Sequence, residues 1–294
     1  MDKSVYGLGV YISNLFAHFY FIMKVLQRGN FKNEIKKTSE GNAVVLANGP
    51  SLKKELPLMK ERYKDADFVV MNMFALSEYF LELKPKHYCF ADPMFYHDYT
   101  PQLQQIKETF RILNEKVDWK MTIYAGFSAK NGTELFKAYS NITNKNITFI
   151  TVKNTIYRGP EVFRNFYYTK NLSIPVIANV SILSVYVALM NGYKNIYVYG
   201  IDHDLCHNFY VNDDNQFCIS FTHFYDKDNN LQEKLMPWIP TVKGESTKVA
   251  RVMRDIHLQF ASHDELEDLS HLLHAKIWNC TKPSLVDSYE RRKH

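Results

Sequence analysis

Three features of the sequence predict an α/β fold in which a mostly parallel sheet carries helices on both faces. Short apolar runs recur along the chain with helical patterns between them. The runs are too short for surface helices and too uniformly apolar for strands with one wet face, so they suit parallel strands covered on both sides. Three successive runs also end in a polar residue, Asn48, Asn72 or Asp92, where the next helix should begin. In an open parallel sheet such positions line one crevice, outside the carboxyl ends of the strands.

The chain has 294 residues, enough for a sizeable core. It divides into a segment at 1–40 and one large domain at 41–294, with an irregular stretch at 97–178. Residues 4–23 contain no Asp, Glu, Lys or Arg. The stretch lacks the basic start and small-residue cleavage site of a signal peptide. Its length would cross a bilayer, but its many Tyr and Phe residues suit an interface, so it is expected to form an interfacial helix, an oligomer contact or a span. Lys24, Arg28, Lys32, Lys36 and Lys37 would then face anionic headgroups on the cytoplasmic side.

Residues 43–52, Ala-Val-Val-Leu-Ala-Asn-Gly-Pro-Ser-Leu, read as strand, loop and helix. Gly49 permits the turn, Pro50 presets a helical first turn, and Ser51 is expected to cap free N–H groups. A helix starting there would aim its positive end into the crevice, where phosphate is the usual occupant. The lysine of a P-loop and the three glycines of the dinucleotide fingerprint are both missing. The second run, Phe68 to Met71, leads into a helical pattern from Phe74 to Leu83, and the third, His87 to Phe90, ends in Ala91-Asp92-Pro93.

Between 97 and 178 the apolar runs Met121 to Tyr124 and Ile147 to Val152 stand among polar stretches. The cluster Tyr157, Arg158, Arg164, Phe166, Tyr167 and Tyr168 is expected to serve as a lid or acceptor region. Regularity returns at Asn179, where Val180 to Met190 reads as a helix ended by Gly192. Asn195 to Tyr199 is a buried strand that stops at Gly200-Ile201-Asp202-His203-Asp204, placing a carboxylate and an imidazole at a strand end. A turn-rich segment then leads to Thr222-His223-Phe224-Tyr225. Thr247 to His274 reads as helical with a break near Ser262, followed by a strand at Lys276 to Trp278 and a final helix opening at Pro283.

Composition narrows the function. A net charge of +5 is too small for a dedicated nucleic-acid binder, and no nucleic-acid motif is present. Cys89, Cys206, Cys218 and Cys280 lack the spacing of a zinc site or a disulfide framework, which fits a reducing cytoplasm.

Ala47-Asn48-Gly49-Pro50-Ser51-Leu52, Asn72, Asp92-Pro93, and Gly192 to Tyr197 before Gly200-Ile201-Asp202 together resemble the bacterial CMP-sialic-acid-dependent sialyltransferases of the Campylobacter type. The same elements are similar to the Rossmann-like 6-hydroxymethylpterin-diphosphokinase-like family of bacterial surface-glycan clusters. The resemblance covers residues 41–96 and 179–290. It implies a Rossmann-like nucleotide-binding domain and a glycosyltransferase that moves a sugar, such as a CMP-activated nonulosonic acid, to a surface-glycan or lipid-linked acceptor. The localisation implied is cytoplasmic, at the inner membrane.

On this resemblance Asn48 and Asn72 hold the nucleotide phosphate and ribose. Gly49, Ser51, Asp92, Asn179, Ser181, Gly200 and Asp202 complete the donor-binding set. His223 is the counterpart of the family's catalytic base, with Asp202 and His203 as further catalytic candidates. His203 replaces a family aromatic, and Tyr210 or Tyr225 would take that place against the phosphate.

Read from the residues, Asp202 beside His203 should favour a charged imidazolium suited to a departing phosphate. Neutral donors would then suffice without a metal. Asp202-His203-Asp204 also spells Asp-X-Asp, which would hold Mg²⁺ or Mn²⁺. A pterin pyrophosphokinase and a noncatalytic nucleotide-binding envelope-assembly protein are the alternatives.

Overall fold

The fold is seen in a computed structural model that describes residues 3–28, 35–96, 102–125, 142–152, 155–221, 232–235 and 247–292. Strand β1 (Asn42–Leu46) lies inside the sheet because both of its faces are apolar. Val44 and Leu46 enter one hydrophobic core, while Ala43, Val45 and Ala47 enter the other. Among the described residues the main sheet has eight strands. β1, β2 (Ala66–Met71), β3 (His87–Phe90), β4 (Met121–Ala125) and β5 (Ile147–Thr151) run in order from the middle to one edge. On the other side of β1 lie β6 (Asn195–Tyr199), β10 (Lys276–Asn279) and β11 (Glu290–Arg291).

Every pairing in this sheet is parallel. The order reverses at β1, whose neighbours β2 and β6 are reached by connections on opposite sides. A Rossmann-like sheet opens its crevice at that switch.

One core packs the sheet against α7 (Val180–Asn191) and α8 (Val249–Leu272). Every residue of α7 is buried, which explains its near-continuous apolar sequence. The other face carries α2 (Leu52–Glu55), α3 (Met59–Arg62), α4 (Tyr79–Leu83) and α5 (Leu103–Lys116). A separate three-stranded antiparallel sheet, β7 (Phe209–Val211), β8 (Phe217–Phe221) and β9 (Gln232–Leu235), follows β6. The turn-rich sequence there concealed those strands.

Several sequence expectations need correction. The helix after Pro50 has only four residues, because Pro57 lacks the N–H that would continue it and the chain tightens into a 3₁₀ turn over Leu56–Leu58. The pattern Phe74 to Leu83 divides into a 3₁₀ segment (Asn72–Leu76) and α4, with Ser77 extended between them. Helix α8 runs unbroken through Ser262, whose hydroxyl donates to the Leu258 and Val176 carbonyls at 2.8 and 2.9 Å. No helix opens at Pro283; the chain turns there and adds β11 to the sheet.

The stretch expected to be irregular supplies α5, β4 and β5, which extend the sheet, and α6 (Glu161–Thr169). The aromatic cluster is engaged away from the crevice. Tyr157 and Tyr167 pack on Phe21 of α1 (Lys3–Arg28). Tyr168 donates to Glu265 at 2.6 Å, and Arg164 pairs with Asp268 at 2.6 Å.

Candidate functional site

The loop after β1 and the loop after β6 meet at the switch point and are stitched together. Ala47 N–H donates to the Tyr199 carbonyl and Gly49 N–H to that of Gly200, both at 2.9 Å. A methyl group on Gly49 would fall 1.8 Å from Asp202 Oδ2 and 2.5 Å from the Gly200 carbonyl, so only glycine fits. Gly200 itself adopts φ +73°.

Ser51 completes the join. Its N–H donates to Asp202 Oδ1 at 3.2 Å and its hydroxyl to Oδ2 at 2.8 Å, and it makes no capping bond. The backbone donors expected to cradle a phosphate are therefore turned to a carbonyl and a carboxylate of the protein. Ser51 acts as a clasp for Asp202 and does not line the cavity. Burial raises the Asp202 pKa against the opposing pull of those two bonds.

Beside this join lies a cavity of about 500 Å³. The carboxyl ends of β1, β2, β3 and β6 deliver Asn48, Asn72, Asp92 and His203 to its wall, with Gly49, Gly200, Asp202 and Asp204. The side-chain oxygens of Asn48 and Asn72 are buried, and neither has a hydrogen-bond partner among the described residues. Asn72 is held at φ +48° while its carbonyl accepts the Tyr88 hydroxyl at 2.5 Å. Asparagine tolerates that left-handed conformation better than most residues, and strain of this kind gathers at binding sites.

Asp92 is exposed and caps the following turn, accepting from Met94 N–H at 3.0 Å. Asn179 borders the cavity as the N-cap of α7, accepting from Ser181 N–H at 2.9 Å. Ser181 is fully buried and outside the cavity lining, and its hydroxyl has no partner among the described residues.

His203 departs from the sequence reading. Its neighbour Asp202 turns to Ser51, and the imidazole turns to α8, where its Nε2 lies 2.9 Å from His263 Nε2. His263 Nδ1 is 2.7 Å from the Tyr289 hydroxyl. Burial lowers the His203 pKa from 6.5 to about 4 and holds His263 well below its usual value. Burial thus favours the neutral form of both rings, against the imidazolium expected for His203.

Of the two proton assignments that the geometry allows, one gives the buried Tyr289 hydroxyl an acceptor. Tyr289 O–H donates to His263 Nδ1, and His263 Nε2–H donates to His203 Nε2. His203 then carries its proton on Nδ1, which has no partner among the described residues. His263, Tyr289 and the cavity residue Gln259 were not found from the sequence, since His263 and Gln259 look like ordinary residues of a helix. A different buried histidine, His87, bonds Tyr193 at 2.8 Å at the amino end of the sheet, as a core group.

The expected sites His223 and Tyr225 lie outside the described residues. Both Asp202 oxygens already accept from Ser51, and among the described residues no three His, Cys, Asp or Glu side chains gather to hold a metal.

No protein-family model matches the sequence, and comparison with curated proteins returns no match. Among solved structures the chain is similar to the MAf glycosyltransferase from Magnetospirillum magneticum AMB-1, with 10% identity and a TM-score of 0.46. The alignment covers 88% of this chain and 35% of that one, so the chain spans about a third of that protein's length.

Proposed function

We propose that the protein is a glycosyltransferase that binds a sugar nucleotide in the switch-point crevice and transfers the sugar to a glycan or glycolipid acceptor. The observation that carries this reading is the pair of buried amide oxygens on Asn48 and Asn72 at adjacent strand ends, unpartnered among the described residues. Buried polar groups without partners are costly, and a ligand supplying ribose or base donors would satisfy them. Turned about, the same amides would donate to phosphate. A CMP-activated nonulosonic acid is the favoured donor, from the resemblance of the Asn-Gly-Pro-Ser loop.

His203 takes the part of a neutral donor. With its proton fixed on Nδ1 through His263 and Tyr289, it would hydrogen-bond the departing phosphate and carry no charge of its own. A general base must still accept the acceptor proton, and His223 is assigned to it. Strand β8, whose Ile219 borders the cavity, ends at Phe221, two positions before His223.

Steady-state kinetics with CMP-sialic acid tests the division of labour. His223→Ala should lower turnover by about a hundredfold to ten-thousandfold with donor affinity nearly unchanged, whereas His203→Ala should weaken donor binding too. Near-normal turnover in His223→Ala, with His203→Ala inactive at full donor affinity, would exchange the two roles.

A further inference from the structure

Helix α1 contains no Asp or Glu over its 26 residues and divides its apolar side chains between two sides. His18, Phe21 and Val25 face the protein. His18 Nδ1 lies 2.8 Å from the Tyr157 hydroxyl, and Phe21 and Val25 are buried with Tyr157 against Tyr167 and Leu172. Phe16, Phe19 and Tyr20 face outward, 72%, 63% and 62% exposed, and Met23 extends the same stripe.

Helix α6 continues this surface. Phe163 packs on His18 with ring centroids 4.7 Å apart, and the adjoining Phe166 is 54% exposed. A cation stands over each half: Lys24 Nζ is 4.7 Å from the Tyr20 ring centre, and Lys170 Nζ is 5.9 Å from that of Phe166. Glu161, at the start of α6, lies 3.8 Å from Arg164.

We propose that this aromatic surface, formed by α1 and α6 together, docks the protein on an anionic bilayer, with α1 lying in the headgroup plane. Charge selects the occupant. Lys24 has no carboxylate beside it on α1. A second copy packed on this face would oppose like charges, whereas anionic lipid supplies the missing counter-charge. Exposed Phe and Tyr rings bearing lysines are also the side-chain mixture that partitions to a membrane interface. The segment Gly9–Gln27 is long and apolar enough to cross a membrane. Its inner stripe is nevertheless held by Tyr157, Tyr167 and Leu172, so in the folded protein the helix lies on the bilayer and does not span it. This surface is independent of the reaction assigned to the crevice.

Vesicle flotation of the full chain tests the proposal, with phosphatidylcholine alone and with phosphatidylglycerol added. The chain should float with the anionic vesicles and be released by salt. Phe16→Gln, Phe19→Gln and Phe166→Gln together should lower partitioning at least about tenfold. Lys24→Glu with Lys170→Glu should abolish the preference for anionic vesicles, and these exposed positions keep the test decisive should the aromatic variant unfold. A chain that stays in the soluble fraction with both vesicles overturns the proposal. So does flotation indifferent to these substitutions, or a dimer in sedimentation that the aromatic substitutions split without any vesicle binding.

Discussion

Gly49 shows how much of the site depends on single atoms. The space a side chain would need there is already held by the Asp202 carboxylate and the Gly200 carbonyl. Gly49→Ala should therefore cost roughly 3 kcal/mol, from overpacking and from the Ser51 bonds lost as Asp202 moves. The check is the urea midpoint of the folded chain. An unchanged midpoint would mean that the join yields more easily than its geometry indicates. Ser51 and Asp202 are separated by 151 positions. Local reading assigned Ser51 a cap because nothing nearby in sequence reveals the distant carboxylate it serves.

At the scale of elements, the chain from His203 through His263 to Tyr289 ties the loop after β6 to α8 and to the turn before β11. Its titration has a definite sign. The His203 pKa falls from 6.5 to about 4 on folding, so between those values the unfolded chain binds more protons than the folded one. The stability contribution is complete above pH 6.5 and is lost as pH falls toward 4, on the order of 3 kcal/mol for this group. Unfolding measured across that window should show a shallower loss in His203→Gln than in the native chain; an equal slope would assign the acid sensitivity to other groups.

Elements were legible where burial is uniform. Strands β3 and β6 keep the bounds that their apolar runs imply, because a strand covered on both faces admits little else. They were less legible where local chemistry decides, as at Pro57, at Ser77 and in the short strands after β6. The convergence of Asn48, Asn72 and Asp92 followed from strand ends alone. The histidine chain did not, since a buried histidine on a long helix carries no local signature.

Across the whole molecule, the sheet reverses its order at β1, the cavity opens at that reversal, and the aromatic surface of α1 and α6 is built from elements other than those that furnish the cavity's polar wall. Donor binding and membrane docking should then be separable by mutation. The proposed reaction requires the crevice to be a nucleotide site read by Asn48 and Asn72. Calorimetric titration of the full chain with CMP tests this directly. The native protein should bind, and Asn48→Ala and Asn72→Ala should each weaken binding by about 1–3 kcal/mol, roughly fivefold to a hundred-and-fiftyfold. Equal CMP affinity in the native protein and in both folded variants, or binding of ATP with Mg²⁺ and none of CMP, would contradict it.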